Sequence, residues 1–553
     1  MKRTILIALL AAALKLSAQE NIGGTPFSFD HPFNRGFVPT VTAAPFDQQV
    51  VDAEDHTREL LGEVPLYGRM QAVDRGLDNA GSWSELPGGD RFWLLRVESP
   101  GALATELYFE GLDIPEGARL FVHSDDRSVV HGAFTSYNNH PSGLFATAQI
   151  AGDAQVIEYF EPVQARGLGR FNVSSVGHAY RFMGGAKADA CEVDMVCTPE
   201  SIGWGPEGDG VVRISVVLGG GGLAWCSGSL VNNTALDCKP YILTAFHCGE
   251  SSTDANFSLY KFYFRYQRSG CGTGTALANK VMTGCTRRAD SNCGGGDNGS
   301  DFLLVEANNN VPANFFPYFN GWDASGTGSG SGVGIHHPDG DEKKISTYTS
   351  SLASATWMNA GGAHWRVFWT ATTNGWGVTE PGSSGSPLFN TDGRIVGTLT
   401  GGGSCCTVGG CGPGTGPTVQ DLYGKMSYHW GSQNPNPANE ELQVWLDPTN
   451  SGVSVLDGTN NPCGIYSVGQ QEAVPPGIFP NPTADAVTVV LPMGGPIAEW
   501  LTIRDMSGRS VLTLAVDMLE QTIDISGLAC GSYLLTVGSK EGTYAAAKLQ
   551  VLR

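Results

Sequence analysis

The sequence predicts an all-β protein built as a series of domains. Short runs of alternating apolar and polar residues recur along the chain, as in Arg91–Val97 (RFWLLRV), and no long stretch repeats apolar residues every 3.6 positions. Seventy-five glycines among 553 residues supply the turns that such strands need. The length exceeds what one hydrophobic core organises, so about three domains are expected.

The chain opens with Lys2 and Arg3, an apolar run from Ile5 to Leu14 broken after it by Lys15, and the small residues Ser17 and Ala18. This reads as an export signal over residues 1–18, cleaved before Gln19. The run is too short to span a bilayer and nothing later matches it, so no stable membrane insertion is expected. A formal net charge of −21 argues against nucleic acid and anionic membrane surfaces as partners, because like charges repel.

Residues 19–187 lack cysteine, whereas eleven of the thirteen cysteines fall between Cys191 and Cys411. That shift marks a boundary near Lys187. In the first segment, Leu107–Leu112 and Arg119–His123 read as strands around the turn Asp113–Gly117, which suggests a β-sandwich. The middle segment spans 188–457, and the Pro- and Asn-rich stretch that follows reads as a linker over 458–475. Residues 476–553 carry short alternating runs such as Val487–Leu491, Trp500–Arg504 and Ser532–Val537, as a small β-sandwich would. In an exported chain, the cysteines favour disulfides over metal ligation, and their odd number leaves at least one unpaired or removed by processing.

Three segments of the middle region point to nucleophilic catalysis. In Thr379–Leu388 (TEPGSSGSPL), glycines at 382 and 385 allow a tight turn, so the amides of Gly382 and Ser384 can converge as an oxyanion hole beside the Ser384 hydroxyl. Alone, this could be an unreactive Gly/Ser loop. Upstream, Tyr241–Gly249 (YILTAFHCG) puts His247 at the end of a strand-like run, next to a cysteine able to staple the loop to Cys226. Between them, Gly299–Glu306 (GSDFLLVE) sets Asp301 before a buried apolar run, where a carboxylate needs a partner. Taken separately, each is also an ordinary strand-end or turn residue. Together, in the order His, Asp, Ser, they are expected to form a catalytic triad of His247, Asp301 and Ser384.

The middle region resembles the lysyl endopeptidase branch of the chymotrypsin-like serine proteases. The resemblance rests on Cys226–Thr234, Leu243–Cys248, Ser300–Phe302, Ile335–Pro338, Val378–Pro387 and Trp445–Pro448. It implies a double β-barrel with the triad in the cleft between barrels, attack on a peptide carbonyl through an acyl-enzyme, and no cofactor. Val419–Lys425 resembles the family segment whose aspartate lies at the base of the primary pocket, which here is Asp421. A buried carboxylate there selects lysine or arginine side chains. The family pairs an indole with a histidine near the pocket; Trp357 matches the indole, but Thr400 stands where the histidine would be, so arginine is expected to be accepted too. The resemblance also pairs Cys191 with Cys406, Cys197 with Cys271, and Cys226 with Cys248. Of the remaining cysteines, Cys285 and Cys293 are close enough in sequence to suggest a bridge. His336 and His337 lack ligand spacing and match a family segment, so they are expected to be structural, with no metal bound.

The region before Ala188 then reads as a propeptide that assists folding or blocks the cleft. Lys187 suits self-cleavage, making Ala188 the mature start. The tail is similar to the C-terminal sorting domain of the type nine secretion system, through Phe479–Thr483, Asp505–Arg509, Gly531–Tyr533 and Lys548–Val551. The expectation is a secreted or cell-surface endopeptidase acting on proteins or peptides and handled by that secretion machinery. The competing reading is a non-catalytic secreted binding protein on a protease scaffold, which is normally betrayed by a lost triad residue; none is lost here.

Overall fold

Most of the strands predicted from alternation form, and among the described residues they pair into five sheets. The structure is a computed structural model and describes residues 21–30, 38–45, 47–60, 63–181, 188–276, 279–292, 296–431, 440–460, 462–463, 477–490, 500–505, 509–516, 520–539 and 542–552. The export signal, Lys187, Cys293 and most of the linker lie outside these residues. Two compact units are present, one ending at Cys463 and one from residue 464 onward.

In the first unit, a six-stranded sheet runs Thr40–Thr42, Arg91–Glu98, Ala154–Glu161, Arg119–His123, Val130–Phe134, with Ser82–Glu85 paired to Arg91–Glu98. Its apolar face, with Trp93, Leu95, Leu120 and Ile157, packs on Leu107, Phe109, Phe171 and Val176 from the long strands Ala104–Asp113 and Arg170–Ala179. This is a sandwich, closed because each layer hides the other's apolar side from water.

Those long strands belong to a twelve-stranded sheet that continues into the middle region. There Val211–Val217, Gly222–Leu230, Tyr241–Thr244, Leu303–Ala307, Cys285–Asp290 and Lys261–Phe264 pair as a first barrel. Val211–Val217 and Tyr241–Thr244 are buried along their whole length, which explains their near-continuous apolar sequence. A nine-stranded sheet forms the second barrel, in the order Lys344–Tyr348, Gly332–His336, Pro387–Asn390, Arg394–Gly402, Asp421–Lys425, Ala360–Val367, Ala353–Trp357. The two sheets give the double β-barrel expected from the sequence. A shared core of Leu243, Phe302, Leu304, Val333, Ile335 and Phe389 joins the barrels. At the end of the strand Tyr241–Thr244, His247 is bonded by Asp301, and the turn that carries Ser384 packs against that same strand end through Gly385.

The unit extends past Asp457, because Thr459 pairs with Phe319 and Cys463 bridges to Cys238. Described by itself, the second unit is a sandwich of a three-stranded and a four-stranded sheet. Val487 and Val489 are buried, while the intervening Thr488 points outward and shares a hydrogen bond with Thr522. Period-two alternation thus places one face in the core and the other in water.

Candidate active site

His247 lies in the short 3-10 turn Phe246–Cys248, directly after the buried strand Tyr241–Thr244. The Cys226–Cys248 bridge ties this turn to the neighbouring strand Gly222–Leu230. Asp301 grips the histidine twice. Its Oδ1 accepts the His247 backbone N–H at 3.0 Å, and its Oδ2 faces ring Nδ1 at 2.7 Å. The backbone carbonyl of Asp301 accepts the Phe246 N–H. Asp301 is fully buried and left-handed, with φ of 58°, a conformation that aspartate tolerates better than most residues. A carboxylate on Nδ1 assigns the proton to that nitrogen and leaves Nε2 with its lone pair. Burial disfavours the charged ring, but the charge of Asp301 and its hydrogen bond outweigh this and hold the His247 pKa above the ordinary histidine value.

Support extends one layer further. The Ser300 hydroxyl bonds His429 Nδ1 at 2.8 Å, and His429 Nε2 reaches Thr398 Oγ1 at 3.0 Å. Burial drives the His429 pKa down to about 3, so this ring stays neutral and serves as a brace beneath Asp301.

The Ser384 turn is fastened to the first barrel by one residue. Ser227 donates its N–H to the Ser384 carbonyl at 2.8 Å and its hydroxyl to the Gly382 carbonyl at 2.9 Å. With both carbonyls turned toward Ser227, the amides of Gly382 and Ser384 donate to no group among the described residues. Glycine is required at both corners. Gly382 has φ of 91° and Gly385 φ of 79°. A Cβ on Gly385 would lie 2.1 Å from Thr244 Oγ1 and 2.5 Å from the Ala245 nitrogen, so the turn is pressed against the strand end that presents His247.

Asp421 starts the strand Asp421–Lys425 and is fully buried. Its Oδ2 accepts from Trp369 Nε1 at 2.6 Å, Ser404 Oγ at 2.6 Å and Thr379 Oγ1 at 2.8 Å, while Oδ1 accepts only the Ser404 N–H at 3.0 Å. Every donor is neutral, and no lysine, arginine or histidine among the described residues pairs with it. Burial pushes its carboxyl up, opposed by these hydrogen bonds. Beside it, Thr400 and Trp357 are joined by a residue that sequence reasoning missed. His364 Nε2 lies 3.0 Å from the Thr400 hydroxyl, and its ring stands 6.2 Å from that of Trp357. The pairing of Ala355 with His364 across one hairpin brings this imidazole to the indole. A histidine within the alternating run Ala360–Val367 was the available clue.

Residues 185–423 match the family described as lysyl endopeptidase, C-terminal domain. That match makes the region similar to a lysyl endopeptidase domain. Residues 477–551 match the secretion system C-terminal sorting domain, so the protein is secreted or held at the cell surface. Over 275 residues the chain is 31% identical to a lysyl endopeptidase of Pseudomonas aeruginosa, covering 46% of this chain and 56% of that one, about half the relative's length. Among solved structures it is similar to a Glu endopeptidase in complex with MPD, at 15% identity over 44% of this chain and 94% of the other, with a TM-score of 0.27. It is also similar to the protease Anisep from Arthrobacter nicotinovorans, at 17% identity over 39% and 90%, with a TM-score of 0.28.

Among the described residues of the first unit the bridges are Cys191–Cys406, Cys197–Cys271, Cys226–Cys248, Cys238–Cys463 and Cys405–Cys411. The expected bridge from Cys285 does not form. Cys285 is a free, buried thiol facing the Phe257 carbonyl at 3.4 Å, inside the first barrel's core. Sequence proximity misled because the inward position on its strand decides what a cysteine meets. His336 bonds the hydroxyls of Ser383 and Ser346 through its ring, the backbone N–H of His337 donates to Ser227 Oγ, and His337 Nδ1 faces the Asp341 carbonyl at 3.0 Å. The groupings of possible metal ligands among the described residues contain neither histidine, and their cysteines are tied up in disulfides.

Proposed function

We propose that this protein is a secreted serine endopeptidase that cleaves after lysine and also accepts arginine. His247 Nε2 takes the Ser384 proton as Oγ attacks the peptide carbonyl. The amides of Gly382 and Ser384 hold the oxyanion, and the imidazolium returns the proton to the departing amine. Water then attacks the acyl-enzyme, giving up its proton to His247, which passes a proton to Ser384 Oγ as the acyl C–O bond breaks and the acid leaves. Asp301 fixes the ring and stabilises its charged form. Asp421 receives the substrate cation, and its Oδ1, which accepts only one hydrogen bond, retains capacity for a further donor.

The observation that carries this reading is that the amides of Gly382 and Ser384 donate to no group among the described residues, on a turn pressed against the strand end before a histidine whose Nδ1 faces a buried aspartate. The test compares matched peptides with lysine, arginine, glutamate or phenylalanine before the scissile bond, with Ser384→Ala as the blank. Cleavage confined to the basic peptides and absent from the variant is the expected result; no cleavage by fully processed protein would refute it.

The chain is further read as a precursor that cuts itself after Lys187. In support, the Ala188 nitrogen already lies 3.1 Å from Asp341 Oδ2, and the Asp189 N–H reaches Glu380, four residues before Ser384. Burial, with neighbouring Asp339, raises the Glu380 carboxyl to about 8, and a new ammonium at Ala188 would answer that crowding of acids. The tail is assigned to recognition by the type nine secretion machinery. N-terminal sequencing of secreted protein beginning at Ala188 is the expected outcome.

A further inference from the structure

We propose that after the cut at Lys187 the N-terminal domain stays bound as a subunit of the processed enzyme, seated on the endopeptidase surface formed by Gly222–Ala224, Trp225, Lys261 and Tyr263. This rests on the reading of the chain as a precursor cut at that bond. A propeptide that is to leave should meet its enzyme through a detachable surface. The described contacts are instead those of an undivided domain.

The join is first a backbone join. Strand Leu66–Gly76 pairs antiparallel with Gly222–Leu230, setting Gly222 opposite Arg69, Leu223 opposite Gly68 and Ala224 opposite Leu66. One sheet thereby runs unbroken from the N-terminal sandwich into the first barrel. Loss of the N-terminal domain would leave an exposed strand edge able to pair with other chains.

Side chains extend the join. Tyr67 stacks on Trp225 with ring centroids 4.4 Å apart and planes 19° from parallel, and its hydroxyl lies 2.7 Å from Ser215 Oγ. Tyr67 and Tyr108 belong to the same apolar core as Ile214, Leu223 and Trp225, so no solvent layer divides the two parts. Obligate interfaces have this character, that of a core cut in two.

Inside this core lies an ion pair. Lys261 is fully buried on the barrel strand Lys261–Phe264, and its Nζ meets Glu106 Oε1 and Tyr108 Oη, each at 3.1 Å. Both partners come from the N-terminal domain. Such a pair gives the surface specificity as well as area: the seat accepts a strand that brings a tyrosine to Trp225 and a carboxylate to Lys261. The cut at residue 187 removes none of these contacts. No described hydrogen bond joins residues 21–181 to His247, Asp301, Ser384 or Asp421, so the domain can stay without occupying the cleft.

The test uses the full chain carrying Ser384→Ala, with the recognition sequence of an unrelated site-specific protease inserted after Lys187. Size-exclusion chromatography of the cut protein, near neutral pH and at micromolar concentration, is expected to show both fragments in one peak at a one-to-one ratio. Glu106→Ala, which leaves Lys261 unpaired, should weaken the association by at least about a hundredfold, while Glu106→Met with Lys261→Met should restore it to within about tenfold. Fragments that elute apart would overturn the proposal, and an unchanged affinity in Glu106→Ala would overturn the place given to Lys261. Because the outside protease makes the cut, this result is independent of self-cleavage; failure of that reading would appear as secreted protein lacking an Ala188 terminus. Should Glu106→Ala fail to fold, the elution of the cut parent chain still decides.

Discussion

Replacing Asp421 with asparagine tests the primary pocket through one charge. The swap keeps volume and removes the anion from a site where, among the described residues, four neutral hydrogen bonds and no cation surround it. Truncating one partner of a desolvated, hydrogen-bonded charge pair costs about 2–5 kcal/mol. At about 1.4 kcal/mol per decade, kcat/KM for a lysine peptide should fall by roughly thirtyfold to several thousandfold. A norleucine peptide has similar length and no ammonium, so its weak cleavage should change little. The asparagine amide must also turn donor hydrogens toward the Ser404 N–H, a conflict worth about 1–3 kcal/mol of stability, read as a lower unfolding temperature. The assay is kcat/KM for both peptides, with active sites counted by a covalent serine reagent. If the lysine-to-norleucine ratio stays unchanged in folded Asp421→Asn, the selectivity lies elsewhere and the pocket assignment is wrong.

The raised pKa of His247 has a definite sign. The base works only when neutral, so kcat/KM should fall as pH drops through a midpoint above 6.5, measured as the acid limb of the pH profile. Asp301→Asn removes the charge that lifts this value and leaves burial, which lowers it, so the limb should move to lower pH while kcat drops by about ten-thousandfold. Gly385→Ala places a methyl 2.1 Å from Thr244 Oγ1 in a left-handed conformation, and should abolish measurable cleavage while Ser386→Ala, in the same turn, should not.

Much of the site was legible before any coordinates. His247, Asp301 and Ser384 each end or border a run whose local pattern is self-explanatory: an apolar strand, a carboxylate before buried residues, a turn with two glycines. Local backbone rules act over a few residues, so the sequence by itself determined the strands, the turns, the all-β class and the residue types able to do acyl transfer. It also showed where composition changes, near Lys187 and after Asp457.

What surrounds those residues was decided at long range. Ser227 holds two carbonyls of a turn more than 150 residues away, and His364 reaches Thr400 only because two strands of the second barrel fold side by side. Cys285, expected to bridge a near neighbour, instead faces into a core, whereas Cys238 finds Cys463 across a separation of 225. The union of the N-terminal sandwich with the first barrel likewise depends on which strand edges remain free when both parts have folded. Propensity and alternation are properties of neighbouring residues, while pairing, register and the partners of a buried polar group follow from minimising exposed apolar surface and unsatisfied hydrogen bonds over the whole chain, and only the tertiary structure expresses that solution.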